Sequence, residues 1–291
     1  MQIISSAAAM TAWSNQRLRA GETIALVPTM GCLHAGHLSL LKTARQKADS
    51  VVVSLFVNPL QFGPQEDFSR YPRTFEADCE AVAANHGSVL FTPESTALYP
   101  AGFKTVVAVK GLTAGLCGAS RPGHFDGVTT VVAKLFHIVK PQVAVFGQKD
   151  FQQLAVIRAM VSDLNWDIEI IGHPIVREAD GLAMSSRNRY LSACERQSAL
   201  CLSQALASAR GLVRQGEMDS QTLLARLRAQ ISLDPQVETD YLLIVDDSTL
   251  SPQAVIDRHS ILAMAVRIGA TRLIDNGYLI TEESSSCNAT C

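Results

Sequence analysis

The chain has no uninterrupted apolar run of the ~20 residues that a membrane-spanning helix requires. Residues 1–10 lack the basic start and long apolar core of a secretory signal, so the expected setting is the cytoplasm. Neither charge is in excess: 25 Lys and Arg against 27 Asp and Glu leave a net charge of −2. That balance provides no basic footprint for nucleic acid or for an anionic membrane. The seven cysteines, at 32, 79, 117, 194, 201, 287 and 291, are odd in number and form no Cys-x-x-Cys pair. They make neither a disulfide framework nor a cysteine zinc site, and in a reducing compartment most are small buried apolar residues. Internal repeats and low-complexity tracts are also missing. What remains is an ordinary globular composition, 47% hydrophobic and 18% charged, over 291 residues. That length suits one large domain and a smaller one.

Between residues 23 and about 171 short β-prone runs alternate with helical periods, as in a parallel α/β sheet. Residues 23–27 form the first such run. Residues 51–57 are so continuously apolar that they predict a strand covered on both faces. Residues 75–85 predict a helix, with Thr74 at its cap and Gly87 past its end. Further strands are expected at 89–91, 105–109, 143–146 and 168–171. Residues 128–140 make an amphipathic helix capped by Asp126 and stopped by Pro141, and a second helix is expected at 151–164. His173-Pro174 interrupts the pattern. Beyond it lie a helix over 193–214 opening on a Ser192-x-x-Glu195 capping box, a helix over 220–231, and β-rich runs at 241–245, 261–268 and 273–274. The expected architecture is a Rossmann-like α/β domain over 1–174, a small α+β domain over 175–280, and a disordered polar tail over 281–291.

The densest chemistry is in Pro28-Thr29-Met30-Gly31-Cys32-Leu33-His34-Ala35-Gly36-His37, which places two histidines three residues apart where a strand turns into a helix. Glycines let the backbone pass close to a ligand, free N–H groups at a helix start attract anions, and imidazoles add donors adjustable near neutral pH. A histidine at a helix entry is often only a cap, so the strand–turn–helix setting carries the reading. Cys32 is a nucleophile on paper, but no basic neighbour is evident to activate it, and space-filling explains it better.

Ligands of open α/β sheets bind beyond the carboxyl ends of the strands. Asn58-Pro59-Leu60-Gln61-Phe62-Gly63 occupies such a position, where Asn58 and Gln61 suit a small polar substrate; the alternative is a polar turn stiffened by Pro59. Gly147-Gln148-Lys149-Asp150 occupies another. Lys149 offers a point charge for phosphate, Asp150-x-x-Gln153 reads equally as a capping box, and Gln153 could face a ligand from the first helical turn. Met184-Ser185-Ser186-Arg187 offers two hydroxyls and a guanidinium on a loop suited to a triphosphate. Arg121 and His124, in Arg121-Pro122-Gly123-His124-Phe125-Asp126-Gly127-Val128, are further candidates to line a site.

The His-x-Gly-His turn together with Met184-Ser185-Ser186-Arg187 resembles the nucleotidyltransferase superfamily. With the Asn58–Gly63 loop, Tyr71-Pro72-Arg73-Thr74, the Arg121 loop and Phe146-Gly147-Gln148-Lys149-Asp150 in the same order and spacing, residues 1–280 resemble the pantoate–β-alanine ligase family more closely. The resemblance implies a two-step ligation in which pantoate attacks the α-phosphate of Mg-ATP and β-alanine then displaces AMP. It implies catalytic roles for His34, His37, Lys149 and Arg187, with His37 as proton donor. It assigns ATP to Met30, Gly31, Cys32, Leu33, His34, Ala35, Gly36, His37, Gly147, Gln148, Lys149, Asp150, Val176, Met184, Ser185, Ser186 and Arg187. Gln61 and Gln153 would hold pantoate, with Gln61 also near β-alanine. Mg²⁺ would ride on the phosphates with few protein ligands, Asp78 being a minor candidate, and no organic prosthetic group is expected. A homodimer through the large domain, with the small domain as a lid, completes the expectation. Two alternatives stand beside it: an adenylyltransferase that leaves AMP on its product, and a non-catalytic nucleotide-binding protein that kept the fold.

Overall fold

The computed structural model describes residues 1–64 and 66–281. The expected tail over 281–291 lies outside the described residues except for Thr281. The chain divides into two compact units, one of Met1–Gln148 with Gln152–Val176 and the other of Lys149–Phe151 with Arg177–Cys291. The division falls after Val176, two residues beyond the 174/175 boundary expected from the sequence.

In the first unit the chain runs β1 (Gln2–Ile4), α1 (Ala7–Arg19), β2 (Ile24–Thr29), α2 (Ala35–Lys47), β3 (Ser50–Leu55), α3 (Phe75–Ala84), β4 (Val89–Phe91), the short turns α4 (Ser95–Leu98) and α5 (Cys117–Ser120), α6 (His124–Val139), β5 (Val143–Gly147), α7 (Phe151–Asp163) and β6 (Glu169–His173). The strands make one parallel six-stranded sheet in the order β1-β4-β3-β2-β5-β6. Ile24, Ala25, Leu26 and Val27 are fully buried, as are Val51, Val52 and Val53, as the apolar runs require of strands covered on both faces. The chain proceeds from β2 to one side through β3 and β4, then returns to β5 and β6 on the other, so the strand order reverses between β2 and β5. A crevice forms at such a point in an open α/β sheet. Here Pro28 helps to open it. Ile24 faces β5, exchanging bonds with Gln142, and alternation turns Leu26 and Pro28 the same way. Pro28 has no N–H to give, and β2 pairs with β5 only through Ala25 and Leu26.

Three expectations in this unit are corrected. Residues 105–109 form no strand. Thr130 Oγ1 accepts from Val107 N at 3.0 Å and Thr129 Oγ1 donates to Val107 O, so hydroxyls of α6 take the place of a neighbouring strand. α6 begins at His124, not 128, because Gly123 adopts φ +80° and turns the chain into the helix. Asp126 is therefore an exposed residue within its first turn, not the cap.

The second unit contains α8 (Ala193–Ala199), α9 (Cys201–Arg214), α10 (Ser220–Ile231), β7 (Val237–Asp246), β8 (Ser260–Ile268) and β9 (Thr271–Tyr278), with the strands in an antiparallel sheet ordered β7-β8-β9. Its core joins Leu202, Leu206 and Leu223 to Leu262, Met264 and Val266 of β8. The capping box is present: Ser192 Oγ accepts from Glu195 N, and the Glu195 carboxylate accepts from Ser192 N at 2.8 Å. The helix expected over 193–214 divides at Leu200, whose N–H turns back to Gln197 O and tightens the turn there.

Candidate active site

On the first unit, the carboxyl end of β2 leads through Met30 and Gly31 into the start of α2. Gly31 has φ +86° and Cys32 φ +53°, so two successive left-handed residues fold the chain back sharply. The turn is held from beneath by Asp78 of α3, which is 2% exposed. Its Oδ2 accepts from Cys32 N at 2.9 Å and its Oδ1 from Leu33 N at 2.8 Å. A Cβ on residue 31 would stand 3.0 Å from Asp78 Oδ2, so glycine serves the clamp as well as the φ angle. Both carboxylate oxygens of Asp78 are thus directed at backbone amides, and the residue expected as a minor metal candidate has a structural employment. Among the described residues no group of three or more His, Cys, Asp or Glu side chains is placed to hold a metal ion. Cys32 is buried at 2% exposure, which fits the space-filling reading.

His34 is the N-cap of α2 and His37 its third residue. Their rings lie 4.0 Å apart, centroid to centroid. His34 N donates to His37 Nδ1 at 3.4 Å, so neutral His37 carries its proton on Nε2. The first turn of α2 itself contains no acidic residue, as suits a helix start that meets an anion. A phosphate meeting this turn finds donors from imidazole and backbone together.

From β3, the adjacent strand, the chain enters a 3₁₀ turn at Pro59–Gln61. Asn58 is 1% exposed and fully employed. It accepts from Tyr99 Oη at 2.9 Å and donates to Gln61 Oε1 at 3.2 Å and Gly127 O at 3.0 Å. Asn58 therefore braces the loop and does not line it. The Gln61 side chain lies against the histidine turn, its Nε2 2.8 Å from Met30 Sδ. Burial pushes the Tyr99 hydroxyl far above the usual tyrosine range, so it remains a donor to Asn58 at any working pH.

Gly147 ends β5, next to β2, and Gln148 Nε2 reaches Gly172 O. Of the two glutamines that open α7, Gln152 is the buried one. Its Oε1 accepts from Cys117 N at 2.9 Å, and its Nε2 donates to Leu112 O and Gly115 O at 2.8 Å each. Gln153 is half-buried and emerges ~100° further round the helix, free of that structural duty.

Val176 ends the first unit; the second unit, considered by itself, holds Lys149, Asp150 and residues 184–187. Lys149 is half-buried, and its carbonyl accepts from Asn276 Nδ2 at 2.8 Å; Asp150 is exposed. The segment before Met184 is tied down at several points. Arg177 makes a two-pronged ion pair with Asp275 at 2.7 and 2.9 Å, and Arg196 grips Glu178 and Asp180. Asn188 Nδ2 donates to Glu178 Oε1 and Ala183 O, closing the loop from its far side. Met184, Ser185, Ser186 and Arg187 are all half-buried, and Ser185 Oγ caps the following turn by accepting from Arg187 N. Asp180, despite a burial penalty, is held below the usual carboxylate range by Leu182 N and Arg196.

Sequence reasoning missed Glu66, whose carboxylate pairs with Arg121, the clamp role of Asp78, and Tyr99. Each acts through a partner more than 40 residues away, as Cys32 is from Asp78 and Asn58 from Tyr99. No local spacing could have disclosed them.

Comparisons with known proteins give the family. The family model described as Pantoate-beta-alanine ligase matches residues 2–278. Pantothenate synthetase of Heliobacterium modesticaldum is 55% identical over 276 residues, covering 95% of this chain and 98% of its own. That of Geobacter sulfurreducens is 54% identical over 283 residues, covering 97% and 100%. The crystal structure of pantothenate synthetase from Thermus thermophilus superposes with a TM-score of 0.91 at 44% identity, over 97% of this chain and 100% of that one. The Francisella tularensis pantoate–β-alanine ligase, solved with beta-gamma ATP and beta-alanine, gives a TM-score of 0.79 at 32% identity, over 97% and 98%. A histidine turn at the reversal of a parallel sheet, full-length coverage and this level of identity together make the chain a member of the pantoate–β-alanine ligase family.

Proposed function

We propose that the protein condenses pantoate with β-alanine at the expense of ATP, through a pantoyl-adenylate intermediate. The observation that carries this reading is the pair His34–His37 at the start of α2, 4.0 Å apart beside the sheet reversal, with the Gln61 amide lying against the same turn. A carboxylate oxygen of pantoate attacks the α-phosphorus, the bond to the β-phosphate breaks, and pyrophosphate leaves. The β-alanine amine then attacks the activated carbonyl, and AMP departs with the bonding pair. Attack by one anion on another needs charge neutralisation and alignment more than a strong base. In this reading ATP is served by residues 30–37, 147–150 and 184–187 and by Val176, pantoate by Gln61 and Gln153, and β-alanine by Gln61. His37 Nε2–H is the donor to the reacting phosphate. Lys149, Ser185, Ser186 and Arg187 take up charge as pyrophosphate departs. ATP enters as its magnesium complex, the ion held by phosphate oxygens.

The reaction is assigned to the cytoplasm. No helix among the described residues is long and apolar enough to cross a membrane. A homodimer is also proposed. Residues 105–109 lie outside any sheet, with Val106 60% exposed, and offer a surface to a second copy of the chain. Sedimentation at about twice the 31.4 kDa chain mass checks it. The reaction is tested by supplying Mg-ATP, pantoate and β-alanine. Equal yields of pantothenate, AMP and pyrophosphate are expected. A stable product that retains AMP would assign the chain to the adenylyltransferases instead.

A further inference from the structure

The loop that carries Gln61 is fixed by a network that the reaction scheme leaves unused. The Gln61 carbonyl accepts twice, from His124 Nδ1 at 2.8 Å and from Arg121 Nη2 at 3.1 Å. Arg121 turns its remaining edge to Glu66, with Nε donating to Oε1 at 2.6 Å and Nη2 to Oε2. Its Nη1 lies 3.0 Å from His124 Nε2. Arginine only donates and a carbonyl only accepts, so these contacts fix the imidazole: its proton is on Nδ1, and Nε2 receives Arg121. All three guanidinium nitrogens and both ring nitrogens therefore already have partners within the loop. Both side chains, which the sequence alone made candidates to line the site, are engaged in holding the loop.

The packing beneath is equally committed. The first turn of α6 approaches the loop so closely that a Cβ on Gly127 would fall 2.2 Å from Leu60 O. Asn58 joins that same helix turn to Gln61 Oε1. Burial works against the charged form of Glu66, but the Arg121 hydrogen bonds and charge prevail and hold its carboxyl below the usual range. The ion pair is thus formed at neutral pH, and it spends the Arg121 charge inside the loop. The side chain that the loop lays against the histidine turn is a neutral amide.

We propose that Glu66, Arg121 and His124 are positioning residues that hold the main chain of Gln61, and so aim its side-chain amide at pantoate. The proposal rests on the reading of Gln61 as a pantoate ligand. Its action falls on the substrates that Gln61 serves: loosening the network should weaken pantoate binding and leave the nucleotide, served by other residues, untouched.

The test is steady-state kinetics of His124→Ala, His124→Asn and Glu66→Gln, with pantoate and Mg-ATP varied separately, beside Gln61→Ala as the control. Losing one hydrogen bond to the Gln61 carbonyl should raise the pantoate KM about fivefold in His124→Ala and leave the ATP KM within about twofold. His124→Asn, whose amide nitrogen can stand where Nδ1 stands, should recover most of that loss, which a merely structural role would not predict. Glu66→Gln changes one atom at a half-buried position, and should raise the pantoate KM in the same direction even if His124→Ala folds poorly. If Gln61→Ala raises the pantoate KM tenfold or more while the other variants leave it unchanged, or raise both KM values equally, the positioning proposal is overturned. If Gln61→Ala itself leaves pantoate binding intact, the reading of Gln61 fails instead.

Discussion

The histidine turn and the Gln61 loop leave the carboxyl ends of two adjacent strands, β2 and β3, and each is fixed through its main chain by residues distant in sequence. They are fixed by opposite means. Beneath the histidine turn a carboxylate at 2% exposure receives two neutral backbone N–H groups. Around Gln61 a half-buried ion pair and a histidine grip one carbonyl. A buried carboxylate saturated by amides is costly to disturb and little affected by salt, whereas a partly exposed ion pair is worth less and is screened. The difference matches what each loop is proposed to carry. The turn that meets a triphosphate must keep its shape under a large charge, while the loop that meets pantoate has only to aim one amide.

Removing the harder clamp should have the largest effect. Asp78→Ala leaves two amides unpaired at a dry site, each worth about 1–3 kcal/mol, and should lower the unfolding free energy by about 2–5 kcal/mol in denaturant titration. A loss below about 1 kcal/mol would mean that water replaces the carboxylate, and the contrast between the two loops would collapse. His37→Ala sharpens the comparison on the chemical side. It should slow adenylate formation by roughly 10²-fold with little change in stability, and near-normal turnover would remove that imidazole from the reaction. Gln153→Ala should raise the pantoate KM by about fivefold and spare ATP, since one ligand hydrogen bond is at stake; equal effects on both substrates would return it to a helix-opening residue.

The smallest effect is expected from pH. Because the Glu66 carboxyl titrates below its ordinary value, the Arg121 pair stabilises the fold fully above the ordinary carboxylate range and loses that contribution as pH falls through the lowered value. The stability difference between the wild type and Glu66→Gln, about 1 kcal/mol or less at a partly exposed pair, should therefore close in acid. A difference that persists at low pH would show that the loop is held by packing alone.

Local chemistry made much of this legible beforehand. The apolar runs at 51–57 and 143–146 announced buried strands, and Ser192 with Glu195 announced a helix start, because burial and capping are written in neighbouring residues. Residues 105–109 misled for the same reason: their composition is that of a strand, yet the hydroxyls of Thr129 and Thr130 satisfy Val107 from a helix. The histidine turn could be found by its spacing, but not the Asp78 that braces it from 46 positions away. Arg121 and His124 were visible as polar residues in a loop. Only the pairing of each nitrogen showed that they face Gln61, and Glu66 carried no signal until its partner was in place.

The central claim is that an activated carboxylate exists before the amine arrives. Mixing the protein with Mg-ATP and pantoate alone, and quenching on the millisecond to second scale, measures it directly. The account predicts one equivalent of pyrophosphate per active site, then a halt that β-alanine relieves with release of AMP. Pyrophosphate that appears only after β-alanine is added, or the formation of ADP and phosphate in its place, would contradict it.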